Sequence, residues 1–503
     1  GNSRMDAMKM AQKKQVLAFD FGASSGRAML GSFDGNTISY QEIHRFSNDP
    51  VSIGGTLYWD VLRQFYEIKQ GIVKAKQFGP IDSIAIDTWG VDFGLIGQDG
   101  QLLEKPVHYR DRRTEGMVEE VCGSIPAEEL FMQSGIQPMS INTLFQLNYL
   151  VKHEKNAIFR AEKLLMMPDL FAYFLTGECR SEFTEATTTQ LIDQKTRGWN
   201  IRLIEAVGLP KRIFAPLIQP GERYGMLKQE LADELRIEPV PVYACASHDT
   251  ASAVLAVPTQ EEKFAFLSCG TWTLFGTELK RPVVTEQALK MGLTNEGGCG
   301  GTTTLLKNIM GLWLIQETRR WYNSTRCAGY SFADLESMAR GAAPFQSFID
   351  PAAPEFALPD DMPPKIQEYC RRTNQPVPKE PGEIMRCIYQ SLACEFALTL
   401  REMTALTGLE YGRIHMTGGG TKDKLLCQLT ADAAGIPAVA GPTEATALGN
   451  GISTLIALGE IPDIAEARRI ITQSGLTQEF LPQEHDMWSE QLERYRKLTR
   501  KPE

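Results

Sequence analysis

The chain has 503 residues, 43% of them hydrophobic and 23% charged, a composition that excludes a disordered protein and predicts two domains or more. Its formal net charge of −10 argues against a surface for nucleic acid or for an anionic membrane. The 10 cysteines include no C-x-x-C pair, so they indicate neither a zinc site nor a dense disulfide framework, and we expect a cytoplasmic protein.

The N-terminal stretch 1–15 is polar and basic and has no apolar core, so it does not predict a signal peptide. No uncharged apolar run reaches the length of about 18 residues that a membrane span needs. Neither a membrane nor a nucleic acid is therefore expected as a partner.

The first predicted element is a strand, Val16–Phe19, that ends at Asp20. The small-residue turn FGASSGR at 21–27 leads from it into a second apolar strand. Gly22 and Gly26 allow a positive φ and the close approach of another group, and exposed N–H groups in such a turn can bind an anion. An ordinary hairpin turn explains the same residues.

The next apolar run, 81–87, predicts a buried strand that ends beside Trp89 and Gly90. A tryptophan at this position forms a pocket wall or belongs to the core. The charge-dense segment 109–113 indicates a solvated face or an ion-pair network. Helical patterns are predicted over 62–76, 143–175, 383–406, from about 423, over 443–458 and, as a solvated helix, over 490–501.

The segment 240–256 contains the residue around which the chain is organised. An apolar strand over 242–245 stops at Ser247-His248-Asp249-Thr250, and a run of small residues then predicts a helix. Asp249 should therefore lie where a strand ends and a helix begins, as ligand crevices in α/β sheets do. An ionised carboxylate there suits a general base. The alternative is that Asp249 only caps the helix.

A polar break after Ala256 predicts a domain boundary. The strand–turn–strand pattern of the N-terminus then recurs, with a strand at 264–267, a turn at 268–271 and a strand at 272–276. Two related α/β domains, 15–257 and 258–485, would each contribute such a turn to one polyphosphate.

Three features follow in the second half. Residues 305–322 predict an amphipathic helix in which Asn308 either contacts a ligand or acts as a cap. Residues 344–381 contain nine of the 27 prolines and exclude a long helix. Glycines at 418–420, between a strand and a helix, leave room for a flat or charged ligand at the helix N-terminus.

Together these segments resemble the FGGY family of carbohydrate kinases, from Val16 to about Leu481. The strings that carry the resemblance are DFGASSGR at 20–27, IDTWGVDFG at 86–94, ASHDTASAV at 246–254, SCGTWTL at 268–274, LKNIMGLWLIQ at 306–316 and TGGG at 417–420.

The resemblance implies an α/β fold with two RNase H-like domains of the actin and Hsp70 type and a central cleft that holds ATP and the sugar. It implies transfer of the γ-phosphoryl group of ATP to the 1-hydroxyl group of L-rhamnulose, in the catabolism of L-rhamnose, with Mg²⁺ as cofactor. A sister kinase for L-fuculose or D-xylulose is the alternative. An actin-like nucleotide switch without a sugar pocket is a third possibility, which the strings around Asp249 and Asn308 disfavour.

The resemblance also assigns residues. Asp249 is the catalytic base, and Asp20 contacts Mg²⁺ through water. ATP contacts are implied for Ala23, Ser24, Ser25, Gly26, Arg27, Thr271, Gln316 and Gly419. Sugar contacts are implied for Gly90, His248, Asp249, Thr250 and Asn308.

Two residues depart from the family pattern. Asp423 stands where an asparagine is usual, which puts a nucleotide role there in doubt, and Cys269 replaces a common serine in the second phosphate turn. None of the six histidines lies in a metal-ligand pattern, and both a monomer and a dimer are compatible with the sequence.

Overall fold

A computed structural model describes Arg4 and residues 13–500. Most of the polar N-terminal stretch, and with it the question of a signal peptide, lies outside these residues. The chain divides into two compact units that are not contiguous in sequence. Unit 1 comprises the described residues up to Ala256 with Leu279–Leu305 and Ala445–Ser474, and unit 2 comprises Val257–Glu278, Leu306–Glu444 and the described residues from Gly475 onward.

The strands in chain order are β1 (Gln15–Phe21), β2 (Ser25–Phe33), β3 (Ile38–Ser47), β4 (Val51–Ile53), β5 (Thr56–Tyr58), β6 (Ser83–Thr88), β7 (Phe93–Gly97), β8 (Ala161–Met166), β9 (Ser181–Glu182), β10 (Leu217–Ile218), β11 (Arg223–Met226), β12 (Pro241–Tyr243), β13 (Ala265–Cys269), β14 (Trp272–Leu279), β15 (Leu293–Gly297), β16 (Thr303–Met310), β17 (Ile414–Thr417), β18 (Ala438–Ala440) and β19 (Gln478–Phe480).

The α-helices are Val61–Ala75, Met117–Cys122, Ala127–Ser134, Thr143–His153, Lys155–Arg160, Met167–Thr176, Phe183–Thr187, Ile201–Ala206, Gln229–Leu235, Asp249–Leu255, Glu286–Lys290, Trp313–Thr325, Phe332–Gly341, Met362–Arg372, Pro381–Thr407, Lys424–Ala434, Ala445–Ala457, Ile464–Gln473 and His485–Thr499. Among the described residues, no helix combines the length and the apolar character needed to cross a bilayer.

The main sheet of unit 1 has the strand order β11-β12-β6-β1-β2-β3. β1 and β2 form an antiparallel hairpin, while β6 runs parallel to β1 and β12 parallel to β6. Helix Val61–Ala75 covers one face and buries Ile68 and Ile72 completely. Its Gly71 sits where a Cβ would lie 2.5 Å from the Phe19 ring of β1, so this helix approaches the sheet closely.

Unit 2 repeats the same plan. β13 and β14 form an antiparallel hairpin, β17 runs parallel to β13, and β18 runs parallel to β17. The predicted strand–turn–strand openings at 16–30 and 264–276 are both confirmed. Each unit thus begins its sheet with a hairpin and continues it with parallel strands.

Two helix predictions are wrong because a short buried apolar run does not distinguish a helix from a strand. Residues 303–310, predicted in part as the start of a helix, form β16, and the helix begins only at Trp313. Residues 161–166, within the helix predicted over 143–175, form β8 and pair with β7.

The C-terminal helix His485–Thr499 is not simply solvated. Trp488, Leu492 and Tyr495 recur at helical spacing along one face and are buried. This face belongs to the core of unit 2, and the prediction of a solvated helix is wrong for it.

Candidate active site

The carboxyl ends of three parallel strands of unit 1 bring acidic residues to one edge of the sheet. Asp20 on β1 lies directly opposite Asp87 on β6. Just beyond β12, Thr88 and His248 form a further parallel bridge, and Asp249 follows. This edge is where open α/β sheets bind their ligands.

Asp20 lies between a cation and a second acid. On β2, Arg27 is opposite Asp20, and its Nε lies 3.0 Å from Asp20 Oδ2. Burial, and after it the charge of Asp20, raises the pKa of Asp87 well above its usual range, against the effect of Asn450, whose Nδ2 donates to Asp87 Oδ2 at 2.8 Å. Asp87 therefore holds its proton more strongly than an ordinary aspartate does, and Asp20 is the acid of this pair that faces the guanidinium group of Arg27.

The oxygen donors at this position fit a hydrated metal ion. Within the part of the chain that the structure describes, no group of three or more His, Cys, Asp or Glu side chains could hold a metal. Mg²⁺ usually keeps several waters and uses one or two carboxylates together with substrate phosphates. Asp20 can supply one such carboxylate, whereas the described residues form no dedicated protein cage for a metal.

The turn between β1 and β2 is short and exposed at its tip. Gly22 N–H donates to Ser25 O at 2.9 Å, and Asn48 N–H donates to Ser24 O at 3.0 Å. Ala23 and Ser24 are exposed, so the backbone at the tip is accessible to a ligand. The predicted residues 23–27 thus lie at the turn and at the start of β2.

The two glycines of this turn, Gly22 and Gly26, have ordinary backbone angles. Neither Gly22 nor Gly26 has a positive φ, so the turn does not use the left-handed backbone that glycine allows. Gly26 is required for space instead, because a Cβ there would lie 2.3 Å from the Phe46 ring. Close packing beneath the turn, and not a positive φ, explains this glycine.

Asp249 is the first residue of helix Asp249–Leu255, and His248 is the N-cap residue. Asp249 Oδ1 accepts the N–H of Thr250 at 2.8 Å, the residue next to it. A capping side chain would instead accept an N–H two or three residues further along the chain. The alternative that Asp249 merely caps the helix therefore does not describe its contacts.

The protonation of Asp249 suits a base at neutral pH. Burial raises its pKa to about 6, and the negative charge of Asp20 adds to this effect. The side chain keeps 30% of its surface exposed, so it can still reach a ligand. A carboxyl group with this pKa is mostly ionised at pH 7 and is a stronger base than an ordinary aspartate.

Hydrogen bonds to the buried Glu182 and to Thr184 fix the loop before Asp249. Ser247 Oγ donates to Glu182 Oε2 at 2.7 Å, and His248 N–H donates to Thr184 Oγ1 at 3.2 Å. Glu182 also accepts the N–H groups of Thr184 and Glu185 at the start of the helix Phe183–Thr187. These hydrogen bonds fix the position of His248 and Asp249 at the edge of the sheet.

Gly90 and Trp89 have different environments. A Cβ at Gly90 would lie 2.9 Å from the Thr188 side chain, and Val91 N–H donates to Thr188 Oγ1 at 2.9 Å. Trp89 is buried in the core, where its Nε1 donates to Asp92 Oδ2 at 3.1 Å. Of the two interpretations of Trp89, a core residue is therefore correct and a pocket wall is not.

Several acids near this edge that have little exposed surface received no role from the sequence, among them Asp87, Glu182 and Glu296. Asp87 interrupts an apolar segment, IAIDTWG at 84–90, and a polar residue that is buried needs a partner. That interruption was the available signal. Their partners come from distant segments, so the sequence alone did not identify them.

In unit 2, the second turn meets the start of helix Trp313–Thr325. Leu312 N–H donates to Gly270 O at 3.0 Å, and Trp313 N–H donates to Thr271 O at 3.1 Å. One turn into the helix, Gln316 Oε1 accepts the hydroxyl of Thr271 at 3.2 Å. Two residues predicted to contact ATP are therefore adjacent.

The triple glycine lies against the same turn. A Cβ at Gly418 would lie 2.6 Å from Cys269 O, and one at Gly420 would lie 2.3 Å from Cys269 Cβ. Gly419 between them has open space on its side-chain face. The side chain of Cys269 is buried beneath the glycines, and Gly419 is left accessible.

Asp423 has a structural role. It is the N-cap of helix Lys424–Ala434, and its Oδ1 accepts Leu426 N–H at 3.1 Å. Its Oδ2 accepts the hydroxyl of Tyr389. Both carboxyl oxygens are thus engaged within unit 2. The contact with Tyr389 distinguishes Asp423 from the family's asparagine, because an amide Nδ2 cannot accept a hydroxyl proton.

Asn308 lies on β16 and is exposed. A helix cap is therefore the wrong alternative for this residue, because it belongs to a strand. The accessible amide is compatible with ligand contact, which stays a prediction.

Comparison with known proteins places these two sets of residues in context. Residues 15–256 match the model of the FGGY family of carbohydrate kinases, N-terminal domain, and residues 265–458 match the model of its C-terminal domain.

Similar proteins include the rhamnulokinase of Bacteroides thetaiotaomicron, which is 42% identical over 95% of this chain and 97% of its own length. The rhamnulokinase of Enterococcus faecalis is 41% identical over 93% of this chain and 94% of its own. That of Bacillus subtilis is 38% identical over 93% and 96%.

Solved structures show the same fold. Xylulose kinase from Lactobacillus acidophilus superposes with a TM-score of 0.79 at 16% identity over 96% of this chain and 97% of that one. Plasmodium falciparum glycerol kinase with ADP gives 0.76 at 14% identity over 96% and 98%. The predicted α/β fold with two domains of the actin and Hsp70 type is confirmed.

Proposed function

Because this chain belongs to the FGGY family of carbohydrate kinases, and is thus an ATP-dependent sugar kinase, we propose that it phosphorylates L-rhamnulose at the 1-hydroxyl group with Asp249 as the general base. The observation that carries the choice of sugar is the 38–42% identity, over more than nine-tenths of this chain, with rhamnulokinases. The product is L-rhamnulose 1-phosphate, with ADP.

The site of unit 1 supports the role of Asp249. Phosphoryl transfer depends on positioning and on neutralising charge more than on covalent catalysis. Asp249, with a pKa of about 6, is ionised at neutral pH and takes the proton of the sugar hydroxyl as that oxygen attacks the γ-phosphorus. His248 and Thr250, on either side of the base, and Gly90 on the neighbouring strand end are proposed to contact the sugar, as is Asn308.

The exposed turns support the nucleotide contacts. Backbone N–H groups in small-residue turns bind phosphate oxygens, and Arg27 adds a positive charge beside the first turn. We assign to ATP the residues Ala23, Ser24, Ser25, Gly26 and Arg27 in unit 1 and Thr271, Gln316 and Gly419 in unit 2. Bound Mg²⁺ neutralises phosphate charge, and Asp20 is the residue proposed to hold it through a water molecule.

A cytoplasmic location is proposed with this activity. ATP is the co-substrate, and all 10 cysteines are free thiols, as a reducing compartment favours.

Replacement of the base tests the assignment. Asp249→Asn should fold and bind a fluorescent ATP analogue normally, yet lose at least ~10²-fold in kcat, the usual contribution of a general base. In the wild type, kcat/KM should fall as the pH drops through about 6, because protonated Asp249 cannot accept the hydroxyl proton. Asp34→Asn, in an exposed turn, is the matched control. Near-normal turnover of Asp249→Asn would refute the role of this residue.

A panel of ketoses tests the sugar. ADP release should be fastest with L-rhamnulose and at least ~10-fold slower with L-fuculose or D-xylulose. Faster turnover of either competitor would assign the chain to a sister kinase. ATP hydrolysis that no sugar stimulates would instead favour a nucleotide switch.

A further inference from the structure

Glu296 is a buried acid that the proposed reaction does not use. It lies on β15, and its side chain is only 11% exposed. Both neighbours on the strand are fixed: Asn295 Nδ2 donates to Gly135 O at 3.0 Å, and Gly297 N–H donates to Thr187 Oγ1 at 3.0 Å. The backbone on each side of Glu296 is therefore pinned within unit 1.

His248 lies between Glu296 and the proposed base. Its Nδ1 is 3.5 Å from Glu296 Oε1, and its Nε2 is 3.4 Å from Asp249 Oδ1. The imidazole side chain is 10% exposed. These separations are slightly longer than hydrogen bonds, as is common in a catalytic site without its substrate.

The chemistry of imidazole restricts how the three groups share protons. A neutral imidazole has one N–H donor and one acceptor nitrogen. It cannot donate to two carboxylates at once, so one of the two acids must donate to the ring or the ring must carry a charge.

The local environments decide which acid donates. Burial lowers the pKa of His248, which keeps the ring neutral. Burial raises the pKa of Glu296 to about 8 and that of Asp249 to about 6. At pH 7 Glu296 thus retains its proton, while Asp249 has lost its own.

We infer that Glu296 is a positioning residue for the base: its neutral carboxyl group donates to Nδ1 of His248 and fixes the tautomer whose Nε2–H faces Oδ1 of Asp249. This inference rests on the proposed function of Asp249. Oδ1 also accepts Thr250 N–H at 2.8 Å. Two donors on Oδ1 orient the carboxylate and leave Oδ2 for the sugar hydroxyl.

Other charged groups near Glu296 leave this arrangement intact. On the packed helix Phe183–Thr187, burial raises the pKa of Glu185 well above its usual range, which favours the uncharged form of this acid. Arg197 lines a small cavity of about 20 Å³ together with Glu296. On helix Glu286–Lys290, which also packs on β15, the two terminal side chains are exposed and lie 3.4 Å apart in an ion pair.

Paired substitutions test the proton on Glu296. In Glu296→Gln the amide N–H can still donate to Nδ1, so kcat at pH 7 should stay within about threefold of the wild type. Glu296→Leu fills similar space without a donor, and kcat should fall about tenfold with an unchanged KM for ATP. Wild-type kcat should also decline as the pH rises through about 8, since ionised Glu296 cannot donate, and Glu296→Gln should lose this decline.

The matched control is Glu185→Leu, which removes a second buried acid from the same region. Its pH profile should follow that of the wild type. If Glu296→Leu has wild-type kcat, or if Glu296→Gln keeps the alkaline decline, the positioning role is overturned.

The tautomer provides a readout that is independent of activity. In the ¹⁵N NMR spectrum of the full chain labelled at histidine, with His248→Gln for assignment, Nε2 of His248 should carry the proton at pH 7. In Glu296→Leu this preference should be lost. A proton on Nδ1 in the wild type would overturn the inference even if Asp249 is the base, whereas an active Asp249→Asn would overturn the proposed base instead.

Discussion

Asp249 meets two opposing requirements. A base must be ionised at working pH, yet a higher pKa makes it a better proton acceptor. Burial among other acids raises its pKa to about 6, which satisfies both conditions near pH 7. The cost is that the folded protein holds an unfavourable charge, so this residue should decrease stability while it supports catalysis.

Removing that charge should therefore stabilise the fold. The pKa of Asp249 is about 6 in the folded protein against an ordinary 3.8, so the folded state binds the proton more strongly. Wild-type stability should fall as the pH rises from about 4 to 6. At pH 7, Asp249→Asn should be more stable by up to about 3 kcal/mol, at about 1.4 kcal/mol for each unit of pKa. Urea unfolding across this pH range measures the difference.

Asp34→Asn provides a control of opposite sign. The N–H groups of Asn36 and Thr37 lower the pKa of Asp34, so its charge stabilises the folded state above the unfolded pKa, and that contribution is lost as the pH falls through the folded pKa. This variant should be slightly less stable at pH 7 and equal to the wild type at low pH. Equal stability of Asp249→Asn and wild type at pH 7 would contradict the account of Asp249.

At the scale of elements, the helix that begins with Asp249 is positioned by a second helix. Helix Ala445–Ala457 packs on Asp249–Leu255, and a Cβ at Gly449 would lie 1.7 Å from Ser252 O. The neighbouring atom is backbone and cannot rotate away. The contact of these two helices thus depends on a glycine.

Substitution of that glycine should act on stability and activity together. Gly449→Ala forces the helices apart and should cost about 1–3 kcal/mol, the range for overpacked interiors. Because the displaced helix carries Asp249, kcat should also fall. Gly451→Ala in the same helix is the matched control: its Cβ would lie 3.6 Å from Val16 Cγ2, and the gain in helix propensity of up to about 1 kcal/mol should keep it stable. Urea unfolding should separate the two variants, and similar values for both would contradict the packing argument.

Local sequence patterns predicted most of the helices and strands, and the elements that they missed have a common cause. Hairpins, parallel strands and the long helix Pro381–Thr407 followed from periodicity and from turn residues. β8 and β16 were missed because these segments of six and eight residues are stabilised as strands by neighbours that are distant in sequence. Periodicity alone does not contain that information.

The candidate site shows the same division. The sequence located Asp249 and both small-residue turns, since strand ends and glycines are local features. It did not identify Glu296 as a neighbour of His248, because 48 positions separate them and only the fold brings them together. The tautomer of His248 is therefore a property of tertiary structure.

At the scale of the whole molecule, unit 1 is built from three separate stretches of chain. Its hydrophobic cluster joins Val16 and Leu255 to Leu448 and Ile452. Asn450 Nδ2 donates to Asp87 Oδ2 at 2.8 Å and to Phe19 O at 3.2 Å. The C-terminal segment thus completes both the core and the buried acid cluster of the unit that carries the base.

A fragment that ends at residue 257 should consequently fail to fold on its own. It would expose the apolar face that Leu448 and Ile452 cover and would leave the buried carboxyl group of Asp87 without the amide of Asn450. We expect weak near-ultraviolet circular dichroism, binding of a hydrophobic dye and no cooperative urea transition. Restoring 279–305 and 445–474 through Gly/Ser linkers should recover a cooperative transition, because these stretches supply the missing contacts.

The same linked protein with Gly449→Ala is the matched control and should recover less stability, since it supplies the segment but not the close helix contact. Cooperative unfolding of the 1–257 fragment alone would contradict the requirement for the C-terminal segment. Cooperative unfolding with the linkers but not without them would show that unit 1 is stabilised by contacts between residues about 200 to 430 positions apart. Local sequence patterns do not contain such contacts, so they cannot be predicted from the sequence alone.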